Sequence, residues 1–213
     1  ADSHQRYPSK RSGTGRGLVL SGVNMSSTKN RANPWQTLAT KTVYDNPWIQ
    51  LQHHDVLNPA GKPGIYGKVC FKSQAVGIIP VDAEGNTWLV GQHRYTLNAW
   101  SWEIPMGGSP LGEDPEATAL RELEEETGLR ASRMRQILHL HTSNSITDEA
   151  GYVFLAQDLT PSEQSLEDTE DIELMKLPLL EAIAMAQDGR LTDAISIAGL
   201  LYLALNQQQL QLY

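Results

Sequence analysis

The chain has a single cysteine, Cys70, among its 213 residues, so no disulfide can form within it. This scarcity is typical of proteins in a reducing compartment, and a cytoplasmic location is expected. Cys70 itself is interpreted as a small core side chain. No apolar run approaches the roughly 18 residues that a membrane helix needs. Residues 1–24 lack the apolar middle of a signal peptide.

Positive charge is also scarce, since 17 Lys and Arg residues face 25 Asp and Glu residues for a net charge of −8. An acidic chain is a poor general binder of nucleic acid or of anionic membranes, so neither is expected as a partner. If the substrate is a phosphate compound, bound metal cations would have to make the local charge at its binding site positive. Hydrophobic residues make up 40% of the chain, which is enough for a packed core.

Composition and periodicity divide the chain into three parts. Residues 1–36 are predicted to be a disordered tail or an added leader, with Met25 a possible native start and a basic interaction arm the less favoured alternative. Residues 37–72 are predicted to be an N-terminal β-sheet region, and residues 73–213 the main domain. Strands are predicted at 37–44, 48–54, 65–71, 75–81, 87–93, 100–104, 134–141, 152–157 and 171–176, and helices at 115–127, 179–187 and 192–206. This order predicts an α/β (α+β) fold with a mixed sheet between helices.

The helix at 115–127 has well-marked ends. Asp114 can cap the first N–H groups, Pro115 suits the first helical position, and Gly128 can adopt the left-handed stop. At about 100° per residue, three carboxylates fall on one face, beside an apolar face. The carboxylates are Glu122, Glu125 and Glu126, and the apolar face comprises Ala119, Leu120 and Leu123.

Carboxylates three and four residues apart repel each other, and partial burial increases the repulsion. Their grouping favours a site for a hard cation such as Mg²⁺ or Mn²⁺. Taken alone, a solvated acidic helix face is the favoured alternative. The residues around the helix favour the cation site over the solvated face, because they occur at specific spacings. The chain has the string Gly107-x5-Glu113-x7-Arg121-Glu122-Leu123-x-Glu125-Glu126-x-Gly128-Leu129.

This string matches every specified position of the Nudix box, GX5EX7REUXEEXGU with U aliphatic, and the sequence therefore resembles a Nudix hydrolase. The resemblance implies Glu122 and Glu126 as principal metal ligands, with Glu125 a third and the Met106 carbonyl a further ligand. It implies that Arg121 and Glu113 orient the site. Gly107 and Gly108 would let the backbone approach metal and phosphate closely.

The resemblance extends beyond the box to the ADP-ribose and nucleoside-diphosphate-sugar pyrophosphatases, through the segments 89–95 and 102–108. It implies that Arg94 and Glu103 contact substrate, although Arg94 as an ordinary salt-bridge residue stays an alternative. The Thr-Asp-Glu end of the loop 143–149 resembles the catalytic loop of that branch, which implies Glu149 as general base. Binding of another metal, or solvation, is the alternative for Glu149. ADP-ribose hydrolases often carry Pro in this loop, so Ser143 and Asn144 favour a different nucleotide sugar.

The aromatic stretch ending at Trp48 can either stack a nucleobase or pack at a hinge. Related enzymes form homodimers whose N-terminal sheets reach across to the partner's active site. The resemblance therefore implies a homodimer, with the predicted sheet region at 37–72 as its dimerisation region. The expected activity is metal-dependent hydrolysis of a nucleoside diphosphate sugar to a nucleoside monophosphate and a sugar phosphate. A Nudix hydrolase of nucleoside triphosphates or dinucleoside polyphosphates is an alternative, against which the segments around Arg94 and Glu149 argue. A non-catalytic Nudix-like binding module is another.

Overall fold

A computed structural model describes residues 32–166 and 171–210. The tail or leader predicted at the start of the chain lies almost wholly outside this described part. The described chain begins with an antiparallel sheet of β1 (Gln36–Asp45), β2 (Ile49–Leu57) and β3 (Pro63–Phe71), in that order. Asn58 closes the turn between β2 and β3, because its side-chain oxygen accepts from the N–H groups of Ala60 and Lys62.

Seven strands and three helices follow. The strands are β4 (Ser73–Pro80), β5 (Asn86–Arg94), β6 (Ala99–Glu103), β7 (Met106–Pro110), β8 (Leu129–His141), β9 (Ala150–Pro161) and β10 (Ile172–Pro178), and the helices are α1 (Pro115–Thr127), α2 (Leu179–Asp188) and α3 (Ala194–Leu210). One sheet has the order β7-β4-β9-β8, with β4 and β9 parallel and the other pairs antiparallel. The other has the order β10-β5-β6 and is antiparallel.

Successive side chains of β4 point to opposite faces of the four-stranded sheet, and helices pack on both faces. Val76 and Ile78 pack in a buried cluster with Ala119 and Leu123 of α1. Ile79 belongs to a larger cluster that contains buried residues of α2 and α3. The predicted mixed sheet between helices is therefore confirmed. Within the described residues, no helix combines the length and apolar character needed to cross a membrane.

Helix α1 has the predicted bounds and caps. The Asp114 side chain accepts from the Glu116 N–H at 3.0 Å, and Gly128 has φ 66°. The predicted apolar face is wrong at Leu120, which is 39% exposed. The buried face also takes in Glu122 and Glu126, so the carboxylates enter the interior.

Three local features differ from the sequence prediction. Strand β7 was not predicted, since its two glycines are poor strand formers, but its pairing with β4 satisfies its backbone. Strand β8 begins at Leu129, well before the predicted start at 134, because it follows β9 over its length. Cys70 is only half-buried and lies in the N-terminal sheet, not in a core.

Candidate active site

The Nudix-box helix α1 holds its carboxylates at different depths. Glu122 and Glu126 are 7% and 2% exposed, whereas the Glu125 side chain is 33% exposed. Arg121 spans two of them, with 2.8 Å from Nη2 to Glu122 Oε1 and 2.7 Å from Nη1 to Glu125 Oε2. Partial burial lowers the pKa of Arg121, but the two carboxylates outweigh it and the net shift is upward. Arg121 therefore stays charged and fixes both side chains.

Strand β7 lies directly against these carboxylates. A Cβ atom at Gly107 would come within 2.0 Å of Glu122 Cδ, so any larger residue at this position must displace the Glu122 carboxylate. The Met106 N–H donates to Glu126 Oε2 at 2.9 Å. The backbone of β7 and the acidic side chains of α1 thus form one wall of the site.

This wall has the donor chemistry that suits a hard divalent cation, because carboxylate and carbonyl oxygens are the ligands that Mg²⁺ and Mn²⁺ prefer. The bare backbone of Gly107 leaves space for close approach to Glu122. Arg121 pairs with both Glu122 and Glu125, and the three carboxylates as ligands of one cation stay a prediction. Across the described residues, no three His, Cys, Asp or Glu side chains are grouped closely enough to hold a metal ion.

Arg94 and Glu103 form a second charged unit, at the ends of the paired strands β5 and β6. Arg94 Nε donates to Glu103 Oε1 at 2.9 Å, and Nη2 donates to Oε2. Glu103 is 3% exposed, and its hydrogen bonds raise the pKa of Arg94. Arg94 therefore forms a salt bridge, as the alternative interpretation of this residue expected. It does not exclude a role in binding, because a carboxylate that fixes a guanidinium also orients its remaining donors.

Three adjoining cavities join these units into one cleft. The first, of about 440 Å³, shares Trp48, Ser73, Gly107 and Gly108 with the third, of about 270 Å³. The second, of about 530 Å³, shares Phe71, Arg94 and Glu149 with the third. Predicted site residues that line the cleft are Trp48, Arg94, Glu103, Met106, Gly107, Gly108, Arg121, Glu122 and Glu149.

Trp48 and Glu149 reach this cleft from two different loops. The Asn46 side chain accepts from the Trp48 N–H at 2.9 Å, which fixes the β1–β2 turn, and Trp48 is 70% exposed. Thr142 donates its hydroxyl proton to the Glu149 carboxylate. A nucleobase could stack on an exposed indole in this position.

Three predicted residues do not line the cleft. Glu125 is paired with Arg121, and Glu126 accepts from the Met106 N–H. Glu113 accepts from the Thr118 hydroxyl at 3.0 Å at the start of α1.

The structure also brings residues to the cleft that the sequence did not single out. Phe71 and Ser73 flank the end of the N-terminal sheet, where no pattern marks them. Asp193 could have been found as a helix cap, since it accepts from the Ser196 N–H at 2.7 Å.

Comparison with known proteins agrees with this geometry. A family model described as NUDIX domain matches residues 72–196, and one described as Nucleoside diphosphate sugar hydrolase N-terminal domain matches residues 35–69. The chain belongs to the Nudix family, and within it the predicted nucleoside-diphosphate-sugar pyrophosphohydrolase branch is confirmed.

Two relatives and one solved structure illustrate the similarity. An ADP-ribose pyrophosphatase of Bacillus subtilis is 35% identical over 81% of this chain and 94% of that protein. A methanol dehydrogenase activator of Bacillus methanolicus is 32% identical over the same shares. A crystal structure described as an ADP compounds hydrolase has a TM-score of 0.74 at 20% identity, covering 82% of this chain and 95% of that one. The last comparison shows the fold.

Proposed function

We propose that the protein hydrolyses ADP-ribose, or another nucleoside diphosphate sugar, to a nucleoside monophosphate and a sugar phosphate, with Mg²⁺ as cofactor or Mn²⁺ in its place. The observation that carries this proposal is the single cleft. It places the Arg94–Glu103 pair and Glu149 next to the glycines and Glu122 of the Nudix box. The name of the Bacillus subtilis relative supports ADP-ribose, while Ser143 and Asn144 favour a different sugar.

The acidic wall is assigned to metal binding. Glu122, Glu126 and the Met106 carbonyl would hold the cation, and Glu125 would join them. A cation there would neutralise phosphate oxygens and lower the pKa of a bound water. Arg121 keeps the carboxylates of Glu122 and Glu125 in place.

The other cleft residues are assigned to the substrate and the attacking water. Glu149 would accept a proton from a water molecule as its oxygen forms a bond to one phosphorus. The bond from that phosphorus to the bridging oxygen then breaks, and the bridging oxygen leaves on the second phosphate. Arg94, oriented by Glu103, would bind a phosphate oxygen, Gly107 and Gly108 would admit the diphosphate, and Trp48 would stack the base.

Product analysis tests this proposal. The protein is incubated with ADP-ribose, other nucleoside diphosphate sugars, nucleoside triphosphates and dinucleoside polyphosphates, each with Mg²⁺ and with Mn²⁺. The expected result is one monophosphate and one sugar phosphate, from diphosphate sugars in preference to the other compounds. Preference for triphosphates or dinucleoside polyphosphates would favour the alternative Nudix activity. Binding without turnover would favour a non-catalytic module.

The assembly and the location belong to the same proposal. We infer that residues 37–72 form a dimerisation region beside a hydrolase domain at 73–213, and that the protein acts as a homodimer in the cytoplasm. Support for the dimer comes from the N-terminal sheet, whose β1 is exposed along its whole length. The cytoplasmic location is supported by the single cysteine.

A further inference from the structure

The loop at 143–149, which ends at Glu149, is fastened to strand β3 of the N-terminal sheet. Val69 N–H donates to the Ile146 carbonyl at 3.0 Å, and Asp148 N–H donates to the Val69 carbonyl at 3.2 Å. Val69 and Thr147 form a parallel β-bridge. Backbone pairing at this one position thus holds the loop against β3.

Asp148 adds two side-chain bonds to this backbone pairing. Its Oδ1 accepts from the Phe71 N–H at 2.9 Å, and its Oδ2 lies 2.7 Å from Lys68 Nζ. Partial burial raises the pKa of Asp148, but Lys68 and the Phe71 N–H outweigh it and lower the pKa overall. Asp148 is therefore an anion at neutral pH and accepts charge-assisted bonds, which are stronger than neutral ones.

These bonds are made beside Glu149, the residue assigned to the attacking water. Asp148 is next to Glu149 in the chain, and Phe71 lines the cleft together with Glu149. Alternating side chains in an extended segment point in opposite directions. An anchor at Asp148 on β3 therefore restricts where the adjacent Glu149 carboxylate lies in the cleft.

We propose that Asp148, paired with Lys68 and the Phe71 N–H, is a positioning residue that holds Glu149 in the cleft. The N-terminal sheet thereby acts on the rate of hydrolysis as well as on assembly. This inference rests on the proposed function, because it needs Glu149 to act on the attacking water. A base displaced by about 1 Å can lose on the order of 10²-fold in rate.

Steady-state kinetics on Asp148→Ala test the inference. We expect kcat to fall about 10- to 100-fold, with KM nearly unchanged, since the substrate contacts assigned to Arg94 and Trp48 stay in place. Lys68→Met should lower kcat less than Asp148→Ala does, and Lys68→Arg should keep kcat close to the wild-type value. Lys41→Met, a lysine of β1 in the same sheet, is the matched control and should keep the wild-type kcat.

A double-mutant cycle separates positioning from a general structural effect. If Asp148 acts through Glu149, adding Asp148→Ala to Glu149→Gln lowers kcat no further. Additive losses in the double variant would overturn the proposal, as would wild-type kcat in both Asp148→Ala and Lys68→Met. If Asp148→Ala does not fold, the cycle is run with Lys68→Met. A wild-type rate in Glu149→Gln would instead remove the base from the proposed function, a different and distinguishable failure.

Discussion

Two carboxylates lie inside the protein on the buried side of α1, where a charged oxygen costs free energy unless it is compensated. Glu122→Gln and Glu126→Gln keep the shape and remove the charge. Each should lower kcat by about 10³-fold, while the melting temperature without metal stays the same or rises. Added Mg²⁺ should raise the melting temperature of the wild type more than that of either variant.

Glu116→Gln is the control for this prediction, because Glu116 is an exposed glutamate in the first turn of the same helix. Its kcat should match the wild type. Near-normal turnover with Mg²⁺ in both Glu122→Gln and Glu126→Gln would contradict the metal assignment.

The position of Gly107 allows a second prediction at the scale of one residue. A methyl group there would overlap Glu122 Cδ at 2.0 Å, so Gly107→Ala must displace the carboxylate or the strand. We expect turnover to fall about 10²-fold and the response of the melting temperature to Mg²⁺ to weaken. At Gly108 the same methyl group would meet Ser73 Oγ at 3.3 Å, so Gly108→Ala should lose less. Equal losses in the two variants would indicate that contact with Glu122 is not the cause.

The turn between β4 and β5 depends on Asp82. Its Oδ1 accepts from the Asn86 N–H at 2.7 Å, and Oδ2 lies 2.8 Å from Lys176 Nζ on β10. Burial opposes ionisation, but these bonds lower the pKa of Asp82 from 3.8 to about 2. Because the pKa is lower in the folded state, the stabilisation is present above about pH 4 and is lost as the pH falls toward about 2.

Asp82→Ala should therefore lower the free energy of unfolding by about 1 kcal/mol at pH 7, a value reduced for the exposure of Lys176. The difference from the wild type should shrink in urea denaturation between about pH 4 and about pH 2. Glu84→Ala changes an exposed carboxylate of the same turn and should have little effect at any of these pH values. A difference that persists unchanged at the lowest pH would show that Asp82 acts without its charge.

Elements with strong local signals were predictable, and those set by distant pairing were not. The ends of α1 follow from Asp114, Pro115 and Gly128, whose preferences act within one helical turn. Strand β7 depends on pairing with β4, whose partner residues run from Gly77 for Met106 to Ser73 for Pro110 and are therefore distant in the chain. Nothing in Met106–Pro110 itself indicates a strand.

The candidate site divides in the same way. The Nudix box and the segments around Arg94 and Glu149 can be recognised in sequence, because their residue types and spacing are specific. The contribution of the N-terminal sheet has no such signal. Lys68 and Phe71 meet Asp148 only because β3 runs beside the loop at 143–149. Leu120 is a different case. Helical periodicity places it near the apolar face of α1, but periodicity alone does not show which residues of that face are covered, and Leu120 is exposed.

At the scale of the whole molecule, the N-terminal sheet leaves apolar side chains uncovered. Leu38, Val43 and Ile65 are 55%, 59% and 71% exposed. A three-stranded sheet with so little covered surface gains little from packing in one chain. A second copy of this chain would cover these exposed apolar side chains, as the homodimer that we propose requires.

The last prediction concerns this interface. Light scattering should give a mass of twice 23.6 kDa for the wild type. Ile65→Lys should shift the mass toward that of the monomer, because a lysine ammonium cannot be buried against an apolar partner without a large cost. Leu205→Lys, at a position on α3 that is 86% exposed, makes the same change outside the sheet and should leave the dimer intact.

A wild-type monomer at working concentration would exclude the dimer, whereas a dimer that survives Ile65→Lys would place its interface away from this residue. If the sheet also positions Glu149 from within its own chain, the monomeric variant should keep part of its activity, since the bonds of Lys68 and Phe71 to Asp148 do not cross between copies.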